Sequence, residues 1–372
     1  MKRKELLGEV ERIVIKVGTT TITKGSSTAS KEMMDSIAKQ VKELKDQGKE
    51  VLIVTSGAIG IGLNALEVKP NPNDIPMRQA ASSVGQSILM QKWNESFQEQ
   101  GILVAQILLT MDIYSDRDSV LNLNNTVDSL LEHKVVPIFN ENDAVSIKEI
   151  GAVFGDNDTL SAMIASRVDA DLLIIMSDVE GLYDKNPSIY KDAKFISVVE
   201  EITPEIKGMA GDPVSGMGVG GMKTKIRAAE ICRDAGCRMI IISSVIENVI
   251  SKTVSGEDIG TIFVAETYMS KKRRWLKSAK SQGTVYVDGG AEKAIRNHQS
   301  LLPIGIIGVS GHFSKGDIID IVCGEITIAK GTSNYSSDEV EKIKSLHSSR
   351  IQEVLGEKKC NDVVQSENIV VL

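Results

Sequence analysis

The sequence contains little cysteine. The four cysteines of the 372-residue chain form no C-x-x-C pair. They are too few and too widely spaced for a disulfide framework or a cysteine-based metal site. We therefore expect a protein of a reducing compartment, in the cytoplasm, and we expect Cys232 and Cys237 to pack as small apolar residues.

Long apolar runs and an excess of basic residues are also missing. No run approaches the length of a membrane-spanning helix, and the charged start of the chain has no signal-peptide core, so we expect no membrane partner. The net charge of −7 argues against a general nucleic-acid binder, which usually carries an excess of Lys and Arg.

The common nucleotide-binding motifs are absent as well. No stretch fits the phosphate-binding pattern G-x-x-x-x-G-K-[ST]. Residues 60–65 fit the looser pattern G-x-G-x-x-A, but the acidic residue expected at the end of a second strand about 20 positions on is missing. A nucleotide site in this chain must therefore be of another kind.

The first 268 residues alternate short apolar runs with longer amphipathic stretches. Continuous apolar character indicates strands buried on both faces, so the pattern predicts an open, mostly parallel sheet between helices. The predicted strands are 12–17, 51–55, 103–109, 135–139, 172–177 and 239–243, and the predicted helices are 30–47, 77–100, 126–132, 158–168 and 222–235.

The pattern changes in the last third of the chain. Shorter strand-like pieces at 284–288, 305–309 and 317–322 are separated by glycine turns, which predicts a compact, β-rich second domain. A helix is predicted over 338–355, where Ser336 and Ser337 supply caps. The predicted organisation is a first domain over 1–268, a linker over 269–282, a second domain over 283–357 and a tail over 358–372.

Polar residues follow four of the predicted strands. The strand 12–17 has Lys16 near its end and is followed by residues 18–20, and the strand 51–55 is followed by Ser56 and Gly57. The strand 135–139 is followed by residues 140–143, and the strand 172–177 ends with Ser177, which Asp178 follows. Ligands of open α/β sheets bind beyond the carboxyl ends of the strands. The sequence therefore predicts that ligands bind at this edge of the sheet.

A glycine cluster precedes the predicted helix 222–235. Residues 216–222 read GMGVGGM, and Lys223 and Lys225 follow. Glycines let backbone N–H groups approach an anion, and a helix N-terminus favours negative charge. The segment favours a phosphate-binding loop, and the alternative is a surface turn with solvated lysines.

Carboxylates and amides cluster in residues 155–159 (GDNDT) and in 140–143. Capping of the next helix would account for Asp158 alone. Asp156 and Asn157 remain, and side chains of this kind bind an amino acid's ammonium group directly or hold magnesium through water. With Lys16 and Lys225 as cations, the set suits phosphoryl transfer, which needs positive charge and positioning.

Six segments, in order, resemble the motif series of the glutamate 5-kinase branch of the amino acid kinase family. They are KVGTT from Lys16, TSGAI from Thr55, MRQAA from Met77, NENDAV from Asn140, GDNDTLSA from Gly155 and GGMKTK from Gly220. The resemblance covers nearly the whole chain. Residues 283–355 are similar to the PUA domain that follows the kinase domain in many bacterial members.

The resemblance implies ATP-dependent phosphorylation of the γ-carboxylate of L-glutamate, the first step of proline biosynthesis. It implies an αβα sandwich followed by a PUA-like barrel. Lys16 and Lys225 would then stabilise the transferring phosphoryl group, and Asp158 would orient both lysines. The residues implied around glutamate are Ser56, Asn140, Asp143, Asp156 and Asn157.

The resemblance also implies an ATP site. Its residues are Lys16, Ser177, Asp178, Val219, Gly220, Gly221, Met222, Lys223, Thr224 and Lys225. Val219 and Ser177 stand where the family more often has threonine. Mg²⁺ would arrive with ATP, without direct side-chain ligands, and the resemblance further implies a homo-oligomer and proline as a feedback inhibitor.

Two alternatives stay open at this point. A sister kinase would act on acetylglutamate, aspartate, carbamate or a nucleoside monophosphate. RNA recognition by the second domain is the other. Residues 283–357 contain seven Lys and Arg against ten Asp and Glu, a balance of 7 − 10 = −3 that disfavours phosphate contacts with RNA.

Overall fold

The structure is a computed structural model that describes residues 3–7, 10–24, 28–110, 116–145, 157–187, 189–209, 221–265, 276, 279–356 and 360–372. The chain divides into two compact units. One comprises Met1–Ile113 and Asp118–Tyr268, and the other comprises Tyr114–Arg117 and Met269–Leu372. The boundaries of the linker and tail stay predictions.

The first unit is built on an open sheet. Its strand order is β3-β4-β2-β1-β5-β9-β10-β8, and among these strands only β9 and β10 pair antiparallel. A separate antiparallel pair is formed by β6 and β7. The strands are β1 Arg12–Val17, β2 Glu50–Val54, β3 Val104–Leu109, β4 Val136–Glu141, β5 Leu172–Ser177, β6 Leu182–Tyr183, β7 Phe195–Ile196, β8 Val198–Val199, β9 Arg238–Ser243 and β10 Thr261–Phe263. The predicted mostly parallel sheet is confirmed.

Helices cover both faces of this sheet, as predicted for an αβα sandwich. α3 packs against β2 and α5, whereas α7 packs against α9 and β1. The helices are α1 Arg3–Leu7, α2 Thr19–Thr23, α3 Lys31–Asp46, α4 Ala58–Ala65, α5 Ile75–Gln98, α6 Arg117–Glu132, α7 Asn157–Arg167, α8 Pro204–Met209, α9 Met222–Asp234 and α10 Val249–Val254. In the described part of the chain, none of the helices is long and apolar enough to cross a bilayer.

The alternation of side chains along β1 places one charged residue inside the sandwich. Ile13, Ile15 and Val17 join the core cluster that also holds the buried residues of α3. Lys16 has the opposite parity and therefore points to the face that α7 and α9 cover. Its neighbours in the sheet are buried, and Lys16 itself is only 8% exposed.

Several element bounds differ from the predictions. α6 begins at Arg117, well before residue 126, because Val120, Leu123, Val127 and Leu131 form a buried stripe that polar neighbours hide in the sequence. α4 was not predicted at all, because its glycines lower helix propensity. β4 extends to Glu141, so Asn140 is a buried strand residue and not part of a loop.

The second unit is a five-stranded sheet with the order β12-β11-β13-β14-β15. Its elements are β11 Gly283–Val287, α11 Gly289–Arg296, β12 Ile306–Gly311, β13 Ile318–Cys323, β14 Ile326–Thr332, α12 Ser337–Ile343, α13 Ile351–Leu355 and β15 Ile369–Val371. Tyr335, Ile319 and Ile328 belong to its buried core. The predicted β-rich second domain is confirmed, and β15 pairs with β14 inside the same sheet.

Two local predictions in the second unit are wrong. The helix predicted over 338–355 stops at Ile343, because Ser345 adopts a left-handed backbone with a φ of 60°. The glycine turn predicted after residues 284–288 is also wrong, because Gly289 and Gly290 do not form a turn between strands. They open α11, since the Asp288 side chain caps this helix by accepting from the Ala291 N–H.

The crossing of α4 and α5 leads to a stability prediction. A Cβ added to Gly62 would lie 1.7 Å from the Ala81 carbonyl oxygen, whereas one added to Gly60 of the same helix meets nothing within 4 Å. We expect Gly62→Ala to lower the free energy of unfolding by about 1–3 kcal/mol. Gly60→Ala is the matched control and should be neutral or slightly stabilising. Urea unfolding compares them, and equal stability of the two variants would contradict the close packing.

Candidate active site

Four neighbouring strands end at one edge of the main sheet. β4, β2, β1 and β5 lie side by side and run parallel, so their carboxyl ends meet. These ends carry Asn140, Thr55 with Ser56, Lys16, and Ser177. The sheet thereby brings together residues that the sequence predicts to form a ligand-binding edge.

A buried carboxylate joins the two predicted catalytic lysines. The Lys16 Nζ lies 2.6 Å from Oδ1 of Asp158, and the Lys225 Nζ lies 3.0 Å from Oδ2 of the same residue. Lys16 comes from β1, Asp158 from α7 and Lys225 from α9. Three elements that are far apart in sequence therefore fix two ammonium groups on either side of one carboxylate.

The electrostatics of this triplet leave it with a net positive charge. Burial by itself would raise the pKa of Asp158, but the charges of Lys16 and Lys225 outweigh burial and hold that pKa below its usual value. The carboxylate is thus ionised at neutral pH and balances one of the two cations. The second positive charge is available to an anionic ligand.

Helix capping does not explain the position and contacts of the Asp158 carboxylate. α7 begins at Asn157, so Asp158 is the second helical residue and is fully buried. Both of its carboxylate oxygens contact lysine ammonium groups. The Thr224 Oγ1 lies 3.3 Å from Oδ2 of Asp158, but the shorter contact of this hydroxyl, 2.7 Å, is with the Gly221 carbonyl.

Three of the residues predicted to bind the substrate glutamate form an amide cluster next to this triplet. They are Ser56, Asn140 and Asn157. The Asn157 Nδ2 lies 2.6 Å from the Ser56 Oγ, 2.7 Å from the Thr55 carbonyl and 3.1 Å from the Asn140 Oδ1, and its two protons are shared among these three acceptors. Because Asn157 directly precedes Asp158, the cluster and the triplet share the first turn of α7. Asp156 lies outside the described residues.

Two residues of α5 that the sequence analysis missed contact residues predicted to bind glutamate. The Ser82 hydroxyl donates to Oδ2 of Asp143 over 3.0 Å. The Asn140 Nδ2 donates to the Gln86 Oε1 over 2.8 Å. Both residues are buried and lie one helical turn apart, and polar residues repeated at that spacing on a buried helix face could have indicated them.

The described part of the predicted ATP site lies at the start of α9 and the end of β5. Gly221 precedes the helix, and the Thr224 hydroxyl donates to its carbonyl over 2.7 Å. The Ser177 hydroxyl donates to Oδ1 of Asp178 over 3.0 Å. Lys223 is exposed, and Val219 and Gly220 lie outside the described residues.

A dedicated metal site would need several acidic, His or Cys side chains close together. In that part of the chain, no three His, Cys, Asp or Glu side chains converge on a metal-sized site. Both oxygens of Asp158 are already paired with ammonium groups. A metal that arrives with the nucleotide therefore stays a prediction.

Comparison with known proteins gives consistent matches for both units. Residues 11–243 match the amino acid kinase family, and residues 283–355 match the PUA domain. A protein of Methanosarcina mazei named glutamate 5-kinase is 51% identical over 379 residues, which cover 100% of this chain and 98% of the relative. Another glutamate 5-kinase, from a Thermoanaerobacter species, is 44% identical over 365 residues, with 97% and 98% covered.

Solved structures resemble the chain more distantly. The crystal structure of UMP kinase from Ureaplasma parvum covers 69% of this chain and 99% of its own, with 15% identity and a TM-score of 0.46.

Proposed function

Because the chain belongs to the amino acid kinase family and matches glutamate 5-kinases over its whole length, we propose that it phosphorylates the γ-carboxylate of L-glutamate. The phosphoryl donor is ATP, and the products are L-glutamyl 5-phosphate and ADP. This reaction is the first step of proline biosynthesis. The observation that supports the proposal best is the pair of ammonium groups on one buried carboxylate.

The reaction needs cations more than it needs a base. A carboxylate nucleophile is already ionised at neutral pH, so no side chain has to remove a proton from it. Both reactants are anions, however, and the transferring phosphoryl group carries negative charge on its oxygens. Lys16 and Lys225 offset this charge, and Asp158 holds the two ammonium groups in place.

Glutamate itself is proposed to bind at the amide cluster. Since the Asn157 Nδ2 is engaged with three acceptors, its Oδ1 is left to accept from the ammonium group of glutamate. The Ser56 Oγ accepts from Asn157, so its own proton can be donated to a carboxylate. Asp143 supplies a second acceptor for the ammonium group, and Asp156 is part of the same proposal.

ATP is proposed to bind along residues 219–225, with Ser177 and Asp178 as the other part of its site. The N-terminus of α9 favours phosphate, and Lys225 lies in its first turn. Mg²⁺ is proposed to be held by the phosphates of ATP, where it would neutralise part of their charge. Asp158 is not available to it, because lysines occupy both oxygens.

A trapping assay tests the proposed function. Purified protein is incubated with ATP, Mg²⁺ and hydroxylamine together with L-glutamate, L-aspartate, N-acetyl-L-glutamate or UMP. We expect γ-glutamyl hydroxamate and an equal amount of ADP with L-glutamate. Turnover of another acceptor, with none of L-glutamate, would show that the chain is a sister kinase.

The Ser82–Asp143 contact leads to a prediction on glutamate affinity. Ser82→Ala removes a hydrogen bond to a charged group and leaves Asp143 free to turn away, so we expect the KM for glutamate to rise about tenfold. The KM for ATP should be unchanged. Ser83→Ala is the matched control, since the exposed Ser83 donates only to its own helix. An unchanged KM for glutamate in Ser82→Ala would remove Asp143 from the proposed ammonium site.

Three further properties belong to the proposal. A cytoplasmic location is supported by the four cysteines, all of which are free. A homo-oligomeric assembly and feedback inhibition by proline stay predictions from the family resemblance.

A further inference from the structure

Three side-chain amides form a relay from α5 to the proposed glutamate site. The Asn157 Nδ2 donates to the Asn140 Oδ1 at 3.1 Å, and the Asn140 Nδ2 donates to the Gln86 Oε1 at 2.8 Å. Asn140 is 3% exposed and Gln86 is 7% exposed. The relay is thus shielded from water along most of its length.

The direction of this relay is set at its far end. Asn157 faces the backbone carbonyl of Thr55, which can only accept a hydrogen bond, so Asn157 must present its Nδ2 there. The same Nδ2 also faces Asn140, which therefore presents its Oδ1 as the acceptor. The Asn140 Nδ2 then requires an acceptor, and Gln86 provides one with Oε1.

Gln86 ends the relay with a buried donor that has no hydrogen-bond partner among the described residues. An unsatisfied buried N–H group is costly, so the Nε2 group of this side chain does not stabilise the fold. The favourable contact of Gln86 is the one that its Oε1 makes with Asn140. Its oxygen, which holds Asn140, is the part of the side chain that the relay uses.

We propose that Gln86 is a positioning residue for substrate binding. Through Asn140 it keeps the Asn157 amide turned so that Nδ2 faces the protein and Oδ1 faces the ammonium group of the amino acid. The inference rests on the proposed function, because it concerns how glutamate is recognised. Gln86 itself need not touch the substrate.

The test replaces Gln86 by a side chain of similar length without an acceptor. In Gln86→Met the buried Asn140 Nδ2 loses its partner, and Asn140 can satisfy it only by turning away from Asn157. We expect the KM for glutamate to rise about tenfold, with kcat at saturating glutamate and the KM for ATP unchanged. A merely structural role would instead lower the amount of active enzyme and leave both KM values as they are.

Two further variants make the test specific. Gln86→Glu keeps an oxygen at the position of Oε1, so its KM for glutamate should equal that of the wild type. Gln91→Met is the matched control, because Gln91 is an exposed glutamine of the same helix whose amide donates to Glu95. It should behave like the wild type.

The outcomes separate this inference from the proposed function. Wild-type protein that makes no hydroxamate rejects the proposed function. Active wild type with an unchanged KM for glutamate in Gln86→Met rejects the role of Gln86 alone. If Gln86→Met does not fold, the KM for glutamate of Gln86→Glu is compared with that of the wild type. A rise of about tenfold in Gln86→Glu, which keeps the acceptor oxygen, would overturn the inference.

Discussion

Replacement of Lys225 by methionine is expected to lower kcat by about 10²- to 10³-fold, because a fixed cation then no longer meets the charge of the transferring phosphoryl group. Methionine keeps most of the aliphatic stem of this buried side chain and removes only its charge. Lys16→Met should have an effect of the same order, since the two ammonium groups flank Asp158 in the same way. Initial rates at saturating ATP and glutamate measure both effects.

The control for these variants is a lysine outside the site. Lys39→Met changes an exposed residue of α3 and should leave kcat unchanged. Thermal unfolding of each variant shows whether lost activity reflects lost structure. A folded Lys225→Met or Lys16→Met protein with wild-type kcat would exclude that lysine from phosphoryl transfer.

Asp158→Asn should reduce both activity and stability. The change leaves two buried ammonium groups without their shared counter-charge, and such a loss costs about 3–5 kcal/mol of unfolding free energy. We expect kcat to fall about as far as in either lysine variant, because the ammonium groups then separate. Steady-state kinetics and urea unfolding at neutral pH measure the two effects.

The stability loss in Asp158→Asn should depend on pH in a defined direction. Lys16 and Lys225 hold the pKa of Asp158 below its usual value in the folded state, so the folded protein binds this proton less readily than the unfolded chain. The stabilisation is present at neutral pH and is lost as the pH falls below about 4, toward the folded-state pKa. The difference between wild type and variant should shrink over that range, and a constant difference would contradict the ionised carboxylate.

The sequence is most informative where local pattern decides structure. Apolar runs predict β1 and β5 to the residue, because strands buried on both faces are mostly apolar. Patterns are weaker where tertiary packing decides. The break at Ser345 and the helix α4 depend on neighbours that composition does not show.

In the candidate active site, too, the sequence predicts some features and only the fold shows the others. Lys16, Asp158 and Lys225 stand in segments whose residue types suit phosphate, so the sequence predicts each of them. Their common contact arises only when β1, α7 and α9 meet in space. Gln86 is harder to predict because a glutamine on a helix is usually exposed to solvent, and its spacing from Ser82 becomes informative only once both side chains are seen to be buried.

The transfer of phosphate to a carboxylate oxygen is tested most directly by isotope labelling. Glutamate with ¹⁸O at both oxygens of its γ-carboxylate is incubated with the protein, ATP and Mg²⁺, and the acyl phosphate is cleaved by hydroxylamine. Hydroxylamine attacks the carbonyl carbon and expels phosphate, which keeps the oxygen that attacked phosphorus. We expect each released phosphate to carry one ¹⁸O atom, whereas phosphate free of ¹⁸O would show that the carboxylate is not the acceptor.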